Sequence, residues 1–216
     1  MGGEKRQMKA VKPLQVEGVK RLLEQSYDRI APKYYRDRGH KAKWEVRELK
    51  RLMRLMPPGG RFLDMGCGVG QVLELFHKNG FRVTGIDQSG KMVEYSRRSV
   101  PPARVFHRNM LNPGFKEGSF DGIVSMYAII HVPQGKQPAV FRHMRRLLSP
   151  GGSFLINIGS GAYEYVGPHC GEWMYWSGAD LKETFRRIRR AGLVILRHEE
   201  LGARDDRQTW ILGRKK

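Results

Sequence analysis

Phe62-Leu63-Asp64-Met65-Gly66-Cys67-Gly68-Val69-Gly70 is the stretch that decides the fold of this 216-residue chain. An apolar run ends there at three alternating glycines, and a helical pattern over residues 71–78 follows. Glycine lets the backbone turn sharply and approach a ligand without a Cβ in the way. Strand, glycine turn and helix in this order are typical of ligand-binding α/β folds.

The spacing of these glycines distinguishes the turn from the dinucleotide-binding glycine motif. The dinucleotide-binding motif places its third glycine three positions after the second, whereas Gly70 follows Gly68 by two positions. The acid Asp64 before the turn also departs from it. The motif therefore indicates a ligand site at this turn but favours a ligand other than NAD or FAD.

Downstream of the turn, short apolar runs alternate with helical stretches, as in βαβ units with a mostly parallel sheet. Seven strands are predicted: Arg61 to Asp64, Arg82 to Ile86, Ala103 to His107, Phe120 to Met126, Ser153 to Ile158, Leu193 to His198 and Gln208 to Leu212. The loop between the last two strands is too short for a parallel crossover. We therefore expect the seventh strand to run antiparallel.

Two amphipathic helices are predicted before the glycine turn, over residues 16–30 and 46–56. In both, apolar residues recur at steps of three and four positions, as a helix with one buried face requires. The second pattern ends at Pro57-Pro58-Gly59-Gly60. The chain is thus predicted to consist of a helical cap, residues 1–58, and a larger α/β domain, residues 59–216.

The second predicted strand ends at Asp87, about where α/β nucleotide sites place the acid that binds a ribose. A carboxylate accepts hydrogen bonds from both ribose hydroxyls. The alternative is that Asp87 caps the following helix. Ser89 is an equally good cap, which favours the ligand-binding role for Asp87.

At this point the sequence resembles the class I S-adenosylmethionine (SAM)-dependent methyltransferases. Their first motif has the form Asp-x-Gly-x-Gly-x-Gly, which Asp64 to Gly70 matches, and their second strand ends in an acid, as at Asp87. Phe120 to Met126 resembles the fourth strand of that family, and Leu147 to Gly152 its turn before the fifth. Upstream, Tyr27 to Tyr35 resembles the N-terminal helix of the subgroup that includes ubiquinone and menaquinone methyltransferases.

The resemblance implies a Rossmann-like α/β fold whose seven strands lie in the order 3-2-1-4-5-7-6, with strand seven antiparallel and a helical cap in front. It also implies that SAM binds and that S-adenosylhomocysteine is the product. The residues expected to bind the cofactor are Tyr27, Tyr34, Asp64, Gly66, Cys67, Gly68, Asp87, Gln88, Asn109, Met110 and Met126. Asn109 stands where the family usually has an acid facing the adenine, and its amide oxygen accepts the same hydrogen bond.

Tyr127 and His131, which follow the fourth predicted strand, are the candidate catalytic residues. A histidine titrates near neutral pH and is able to remove a proton from a hydroxyl or amine. The alternative is a structural histidine packed at the end of the strand.

An aromatic-rich insertion is predicted at about residues 159–178. Trp173, Tyr175 and Trp176 are the candidate substrate contacts, because aromatic faces hold planar or cationic ligands. The alternative is that they form a hydrophobic anchor for the cap.

The charge balance is strongly basic, with 40 Lys and Arg against 21 Asp and Glu and a formal net charge of +19. Such a field attracts polyanions, although basic residues also simply decorate solvated helices.

The basic, polar stretch Met1 to Lys12 lacks the apolar core of a signal peptide, and no run is apolar enough for a membrane span. We therefore expect a soluble, cytoplasmic protein. Because the chain has only two cysteines, we also expect no metal site.

Together these features predict methyl transfer from SAM to an O or N atom of a small-molecule acceptor. The alternative favoured by the charge is a tRNA or rRNA methyltransferase. A SAM-fold protein without catalysis is a third hypothesis, which the intact glycine motif and Asp87 disfavour.

Overall fold

The computed structural model describes residues 16–37, 43–202 and 207–216 of the chain. The predictions made for Met1 to Lys12, and the first 15 residues of the predicted cap, lie outside this described part. Within it, no helix is long and apolar enough to cross a membrane.

Six α-helices and nine strands make up the described part of the chain. The helices are α1 Val16–Arg36, α2 Lys43–Leu55, α3 Gln71–Lys78, α4 Gly90–Ser99, α5 Gln137–Leu147 and α6 Leu181–Arg190. The strands are β1 Arg61–Met65, β2 Arg82–Asp87, β3 Arg104–His107, β4 Phe120–Ser125, β5 Leu148–Gly159, β6 Tyr163–His169, β7 Glu172–Gly178, β8 Leu193–Leu201 and β9 Gln208–Lys215.

Seven of these strands form one sheet in the order β3-β2-β1-β4-β5-β9-β8. The pairs among β1 to β5 are parallel, and β9 runs antiparallel to both β5 and β8. Counted without β6 and β7, this is the predicted order with the predicted antiparallel last strand. The α/β class and the Rossmann-like topology are therefore confirmed.

The difference from the predicted topology lies in the insertion, which contributes two strands of its own. β6 and β7 pair antiparallel in a separate two-stranded sheet, from Tyr163 opposite Gly178 to His169 opposite Glu172. The chain reverses at Cys170 and Gly171, both of which have positive φ (53° and 86°). The aromatic residues of this insertion are thus carried on a regular hairpin.

The helix α1 packs between this hairpin and α4. Its buried Val19, Leu23 and Ile30 share a hydrophobic cluster with Met92 of α4 and Met174 of β7. An amphipathic helix gains most of its stability from such burial. The packing places α1 beside the carboxyl ends of the parallel strands, where ligands bind in open α/β sheets.

Candidate active site

The glycine turn between β1 and α3 has a backbone that needs glycine at each of its three positions. Gly66, Gly68 and Gly70 have φ values of 93°, 51° and 91°, in the left-handed region that other residues rarely adopt. A Cβ on Gly66 would lie 2.5 Å from the Ala128 Cβ, whereas one on Gly68 would meet nothing within 4 Å. The turn therefore leaves open space at Gly68 for a ligand to approach the backbone.

A cleft of about 390 Å³ opens beside this turn at the carboxyl ends of β1, β2 and β4. Its size is within the range of small-molecule and cofactor sites. Its walls include Tyr27, Tyr34, Gly66, Gly68, Asp87, Gln88, Asn109, Met110, Met126, Tyr127 and His131. Most of the residues predicted from sequence to bind the cofactor or to act in catalysis are thus brought together at one site.

The Asp87 carboxylate lies at the end of β2, inside the cleft wall. Its Oδ2 accepts a hydrogen bond from Gly68 N (2.9 Å) and its Oδ1 accepts one from Ser89 N (2.9 Å). Burial raises the pKa of Asp87 above its usual value, and these backbone hydrogen bonds oppose the rise. Asp87 thus holds the glycine turn in place, while each oxygen keeps a further lone pair for a ligand.

Ser89 caps α4, as the sequence suggested, because its Oγ accepts a hydrogen bond from Met92 N (3.1 Å).

The expected adenine contacts lie next to Ser89 in a small polar network. Gln88 Oε1 accepts a hydrogen bond from Asn109 Nδ2 (2.8 Å), and Asn109 Oδ1 accepts one from Leu111 N (2.8 Å). The Asn109 oxygen that was expected to face the adenine therefore already has one backbone partner.

Asp64 and Cys67 differ from the other predicted cofactor residues, because their side chains are buried and do not line the cleft. Cys67 Sγ lies 3.9 Å from Ser96 Oγ on α4, and burial raises the pKa of its thiol well above the ordinary value. A Cβ added to Gly85 would lie 2.8 Å from Cys67 Sγ. The Cys67 side chain thus packs between the sheet and α4.

Tyr27 and His131 form a hydrogen-bonded pair at the cleft wall, with 2.7 Å between Tyr27 Oη and His131 Nε2. His131 Nδ1 lies 2.7 Å from the carbonyl oxygen of Tyr175. Burial lowers the pKa of His131 to about 4, so the imidazole is neutral at neutral pH. Burial likewise raises the pKa of the Tyr27 phenol well above 10, which keeps it protonated.

A second tyrosine–histidine pair lies beside the first. Tyr34 Oη is 2.6 Å from His169 Nε2, and burial raises the pKa of Tyr34 to about 12. The Trp176 ring lies between the two histidines, with centroid distances of 4.7 Å to His131 and 5.5 Å to His169. The two pairs and the Trp176 ring thus form an aromatic cluster between α1 and the hairpin, and of its members Tyr27, Tyr34 and His131 line the cleft.

The three predicted substrate contacts occupy different positions on the hairpin. Trp176 reaches His131, whereas the Trp173 side chain is 59% exposed and its carbonyl accepts a hydrogen bond from Ser26 Oγ (2.8 Å). The Tyr175 hydroxyl donates to Glu164. Hence Trp176 reaches a cleft residue through its side chain, and Tyr175 does so through its backbone carbonyl.

Tyr127, the other predicted catalytic residue, lies at the end of β4 in a left-handed conformation (φ 52°). Its N–H donates a hydrogen bond to the buried Asn157 Oδ1 (2.6 Å), and its ring meets Trp210 edge-on at 6.2 Å. This unusual backbone places Tyr127 in the cleft wall. Such strained residues cluster at functional sites.

Asp28 is a residue of this region that the sequence did not single out. Its Oδ1 accepts hydrogen bonds from Ser89 Oγ (2.6 Å) and from Lys91 N (3.0 Å). It therefore links α1 to the first turn of α4. Asp28 belongs to the segment Tyr27 to Tyr35 that carries the family resemblance, which was a reason to consider it. Its partner Ser89, however, lies 61 positions away in the sequence.

The described cleft suits SAM. The open space at Gly68 admits a ligand close to the backbone, Asp87 offers carboxylate lone pairs, and Met110 and Met126 add apolar walls. Among the described residues, no group of three or more His, Cys, Asp or Glu side chains is arranged to hold a metal ion.

Comparison with known proteins agrees with this geometry. Residues 62–152 match a family described as a methyltransferase domain. The 2-methyl-6-phytyl-1,4-hydroquinone methyltransferase of Synechocystis sp. is 35% identical over 106 residues, covering 47% of this chain and 32% of the relative. The ubiquinone/menaquinone biosynthesis C-methyltransferase of Geotalea daltonii is 30% identical over 148 residues, covering 62% of this chain and 61% of the relative. The chain thus spans less than two thirds of either relative.

Among solved structures, the Burkholderia thailandensis 1,6-didemethyltoxoflavin N1-methyltransferase, bound to its acceptor and S-adenosylhomocysteine, superposes with a TM-score of 0.77. It covers 97% of this chain and 94% of its own length at 16% identity. At that identity the likeness concerns the fold.

The sheet order, the glycine turn and the cleft define the class I SAM-dependent methyltransferase fold. Residues 62–152 therefore carry a methyltransferase-domain match on a class I SAM-dependent methyltransferase fold.

Proposed function

We propose that this protein transfers a methyl group from SAM to an O or N atom of a small, planar acceptor. The observation that carries the proposal is a single cleft that joins the glycine turn and Asp87 to the Tyr27–His131 pair. In this proposal the glycine turn and Asp87 bind the cofactor, and the Tyr27–His131 pair, which accepts and donates protons, faces the acceptor.

In this proposal the backbone at Gly66 and Gly68 holds the methionine part of SAM, and Asp87 binds the ribose. Gln88, Asn109 and Met110 flank the adenine. When bound, the cofactor supplies a methyl group activated by its sulfonium. The task left to the protein is to align the acceptor, exclude water and accept a proton where the acceptor begins protonated.

The acceptor end of the cleft favours an uncharged ring. His131 is neutral, the phenols of Tyr27 and Tyr34 stay protonated, and Trp176 lies against His131. A charged ligand would lose hydration there without an opposite charge from these four side chains. The activities of the relatives, on a hydroquinone and on 1,6-didemethyltoxoflavin, support a small organic acceptor of this kind.

We further propose that residues 1–58 act as a cap on the SAM-binding domain of residues 59–216. Support comes from α1, whose Val19, Leu23, Tyr27 and Tyr34 contribute to the cleft wall. The hairpin of residues 163–178 supports α1 from the other side.

The test is a screen with SAM labelled on its methyl group. The purified protein is incubated with hydroquinones, catechols, heteroaromatic N–H compounds and total RNA in parallel, with the Asp87→Ala variant as control. We expect label in at least one of the small aromatic compounds, with less from the variant. Label in RNA alone would overturn the proposed acceptor class.

A further inference from the structure

The hydrogen bonds of His131 fix the position of its proton. A carbonyl oxygen only accepts, so the 2.7 Å contact to the Tyr175 oxygen requires a proton on His131 Nδ1. A neutral imidazole carries one N–H, and Nε2 must therefore accept. Tyr27 Oη, 2.7 Å away, is then the donor to Nε2.

This arrangement leaves the Tyr27 oxygen able to accept another hydrogen bond. A phenolic oxygen donates one proton and has two lone pairs, and its proton is already directed at His131. Both side chains contribute to the cleft wall. A hydroxyl or ring N–H in the cleft thus finds an acceptor at Tyr27 Oη, while His131 Nε2 is covered by Tyr27.

We propose that Tyr27 is the catalytic residue that contacts the acceptor, and that His131 receives the acceptor's proton through it. This inference rests on the proposed function and deepens it. It changes the role of Tyr27 from the cofactor contact expected from sequence to a proton relay. It also gives the carbonyl of Tyr175 the role of positioning His131.

The acceptor oxygen or nitrogen forms a bond to the methyl carbon, and the carbon–sulfur bond breaks with its electron pair passing to sulfur. The proton leaving the acceptor goes to Tyr27 Oη, and the Tyr27 phenolic proton goes to His131 Nε2. The products are the methylated acceptor, S-adenosylhomocysteine, a restored phenol and an imidazolium that remains bonded to the Tyr175 oxygen.

The transfer adds no net charge to the cleft, which favours proton uptake by a buried histidine. The positive charge of the sulfonium disappears as the positive charge of the imidazolium appears, so the net charge of the cleft stays constant. The side chains described around the imidazole are Tyr27 from α1, His169 from the hairpin and Trp176 from β7. Without the loss of the sulfonium charge, an imidazolium in this buried position would be strongly disfavoured.

Tyr35 is a matched control on the same helix. It stacks on Tyr95 with ring centroids 4.6 Å apart, and it does not contribute to the cleft wall. Tyr27→Phe and Tyr35→Phe each remove one phenolic oxygen from α1. Only the first removes the donor to His131.

The first measurement needs no acceptor. Nitrogen-15 NMR of the histidine rings, with S-adenosylhomocysteine bound, is expected to show His131 with the proton on Nδ1 and an accepting Nε2. In Tyr27→Phe the Nε2 resonance should shift, and in Tyr35→Phe it should stay. A proton on Nε2 in the wild type would overturn the relay.

Calorimetry with S-adenosylhomocysteine then separates the relay from a cofactor contact. We expect Tyr27→Phe to bind it within about twofold of the wild type. A loss of more than about tenfold, or roughly 1.4 kcal/mol, would make Tyr27 a cofactor residue and overturn the proposal.

Kinetics with whichever hydroquinone, catechol or N–H heterocycle the wild type methylates completes the test. Tyr27→Phe should lower kcat by roughly a hundredfold with little change in KM. His131→Asn should do the same, and the double variant should lose no more than the single ones, because the two act as one unit. Additive losses would contradict the relay. If the wild type methylates nothing in the screen, the proposed function fails, and the NMR result shows separately whether the proton arrangement is right.

Discussion

Asp28 on α1 accepts a hydrogen bond from Ser89 Oγ at 2.6 Å, and Ser89 is the residue that caps α4. The same Asp28 oxygen also accepts a hydrogen bond from Lys91 N. A carboxylate at this position interacts favourably with the positive end of the helix dipole. This link holds the helix that covers the cleft against the segment that follows Asp87.

We expect Asp28→Ala to loosen α1 over the cleft. Hydrogen–deuterium exchange of α1 should rise, and affinity for S-adenosylhomocysteine should fall by about threefold to tenfold, because charge-assisted hydrogen bonds are lost at a partly exposed site. Asp28→Asn keeps one oxygen acceptor and should show a smaller change. Gln25→Ala, at an exposed position of the same helix, is the control, and equal exchange in Gln25→Ala and Asp28→Ala would contradict this role.

Asp87→Ala should weaken SAM binding by more than about tenfold. The variant loses the proposed ribose contact as well as the acceptor for Gly68 N and Ser89 N, and such bonds are worth on the order of 1.5 to 3 kcal/mol. Calorimetry measures the change. Asp180→Ala, which removes the N-cap of α6, controls for loss of a capping carboxylate elsewhere. An Asp87→Ala affinity within about twofold of the wild type would refute the ribose assignment.

The neutral, buried His131 should make stability fall on acidification. Its pKa in the folded protein is about 4, below the ordinary histidine value of 6.5, so between these values the unfolded chain binds a proton that the folded chain does not. Its contribution is fully present above about pH 6.5 and falls by roughly 3 kcal/mol as the pH drops to about 4. The melting temperatures of wild type and His131→Asn should therefore converge between pH 7 and 4.5, and a constant gap would argue against a buried neutral imidazole.

Trp176→Ala should raise KM for the acceptor and leave SAM affinity almost unchanged. Its ring lies against His131 and His169, so the lost surface serves the acceptor side of the cleft. Trp173→Ala is the matched control, because its side chain on the same strand is 59% exposed. Steady-state kinetics on both variants makes the comparison, and equal KM values for the two would exclude Trp176 as an acceptor contact.

The positive charge should give only weak binding of RNA. In the densest basic run, on α6, Arg186 and Arg187 both pair with Glu183, and Arg187 also donates to the Gln134 carbonyl. Filter binding with total tRNA at about physiological salt should show a weak association that falls steeply with added salt. A nanomolar, sequence-specific complex would instead favour the RNA methyltransferase hypothesis.

The strands were predictable because their signal is local. Alternating apolar runs and turn residues place each strand within a few positions of its observed ends, and a loop too short for a crossover predicted the antiparallel last strand. β5 begins at Leu148 rather than Ser153 because Leu148 pairs with Phe120 before the register shifts at Gly122. The hairpin was recognised only as an aromatic insertion, since its two strands pair with each other and not with the main sheet.

The candidate site was less predictable, because its chemistry depends on pairs that are distant in sequence. Tyr27 was expected among the cofactor contacts and His131 among the catalytic candidates, and 104 positions separate these two residues, which share a hydrogen bond. Cys67 lies within the glycine motif, but the turn directs its side chain towards α4 and away from the cleft. Neither the Tyr27–His131 hydrogen bond nor the direction of the Cys67 side chain is indicated by a local sequence pattern.

The sequence by itself determined the α/β class, the antiparallel last strand and the position of the ligand turn, because the glycine spacing, Asp87 and the alternation of strands and helices are local signals. The strand order came from the family resemblance. Only the tertiary structure decided which side chains meet across the cleft. The packing of α1 against the hairpin brings Tyr27 to His131, fixes the imidazole tautomer through the Tyr175 carbonyl and lowers its pKa by burial. Hydrogen bonding and desolvation depend on neighbours in space, and the folded chain supplies those neighbours.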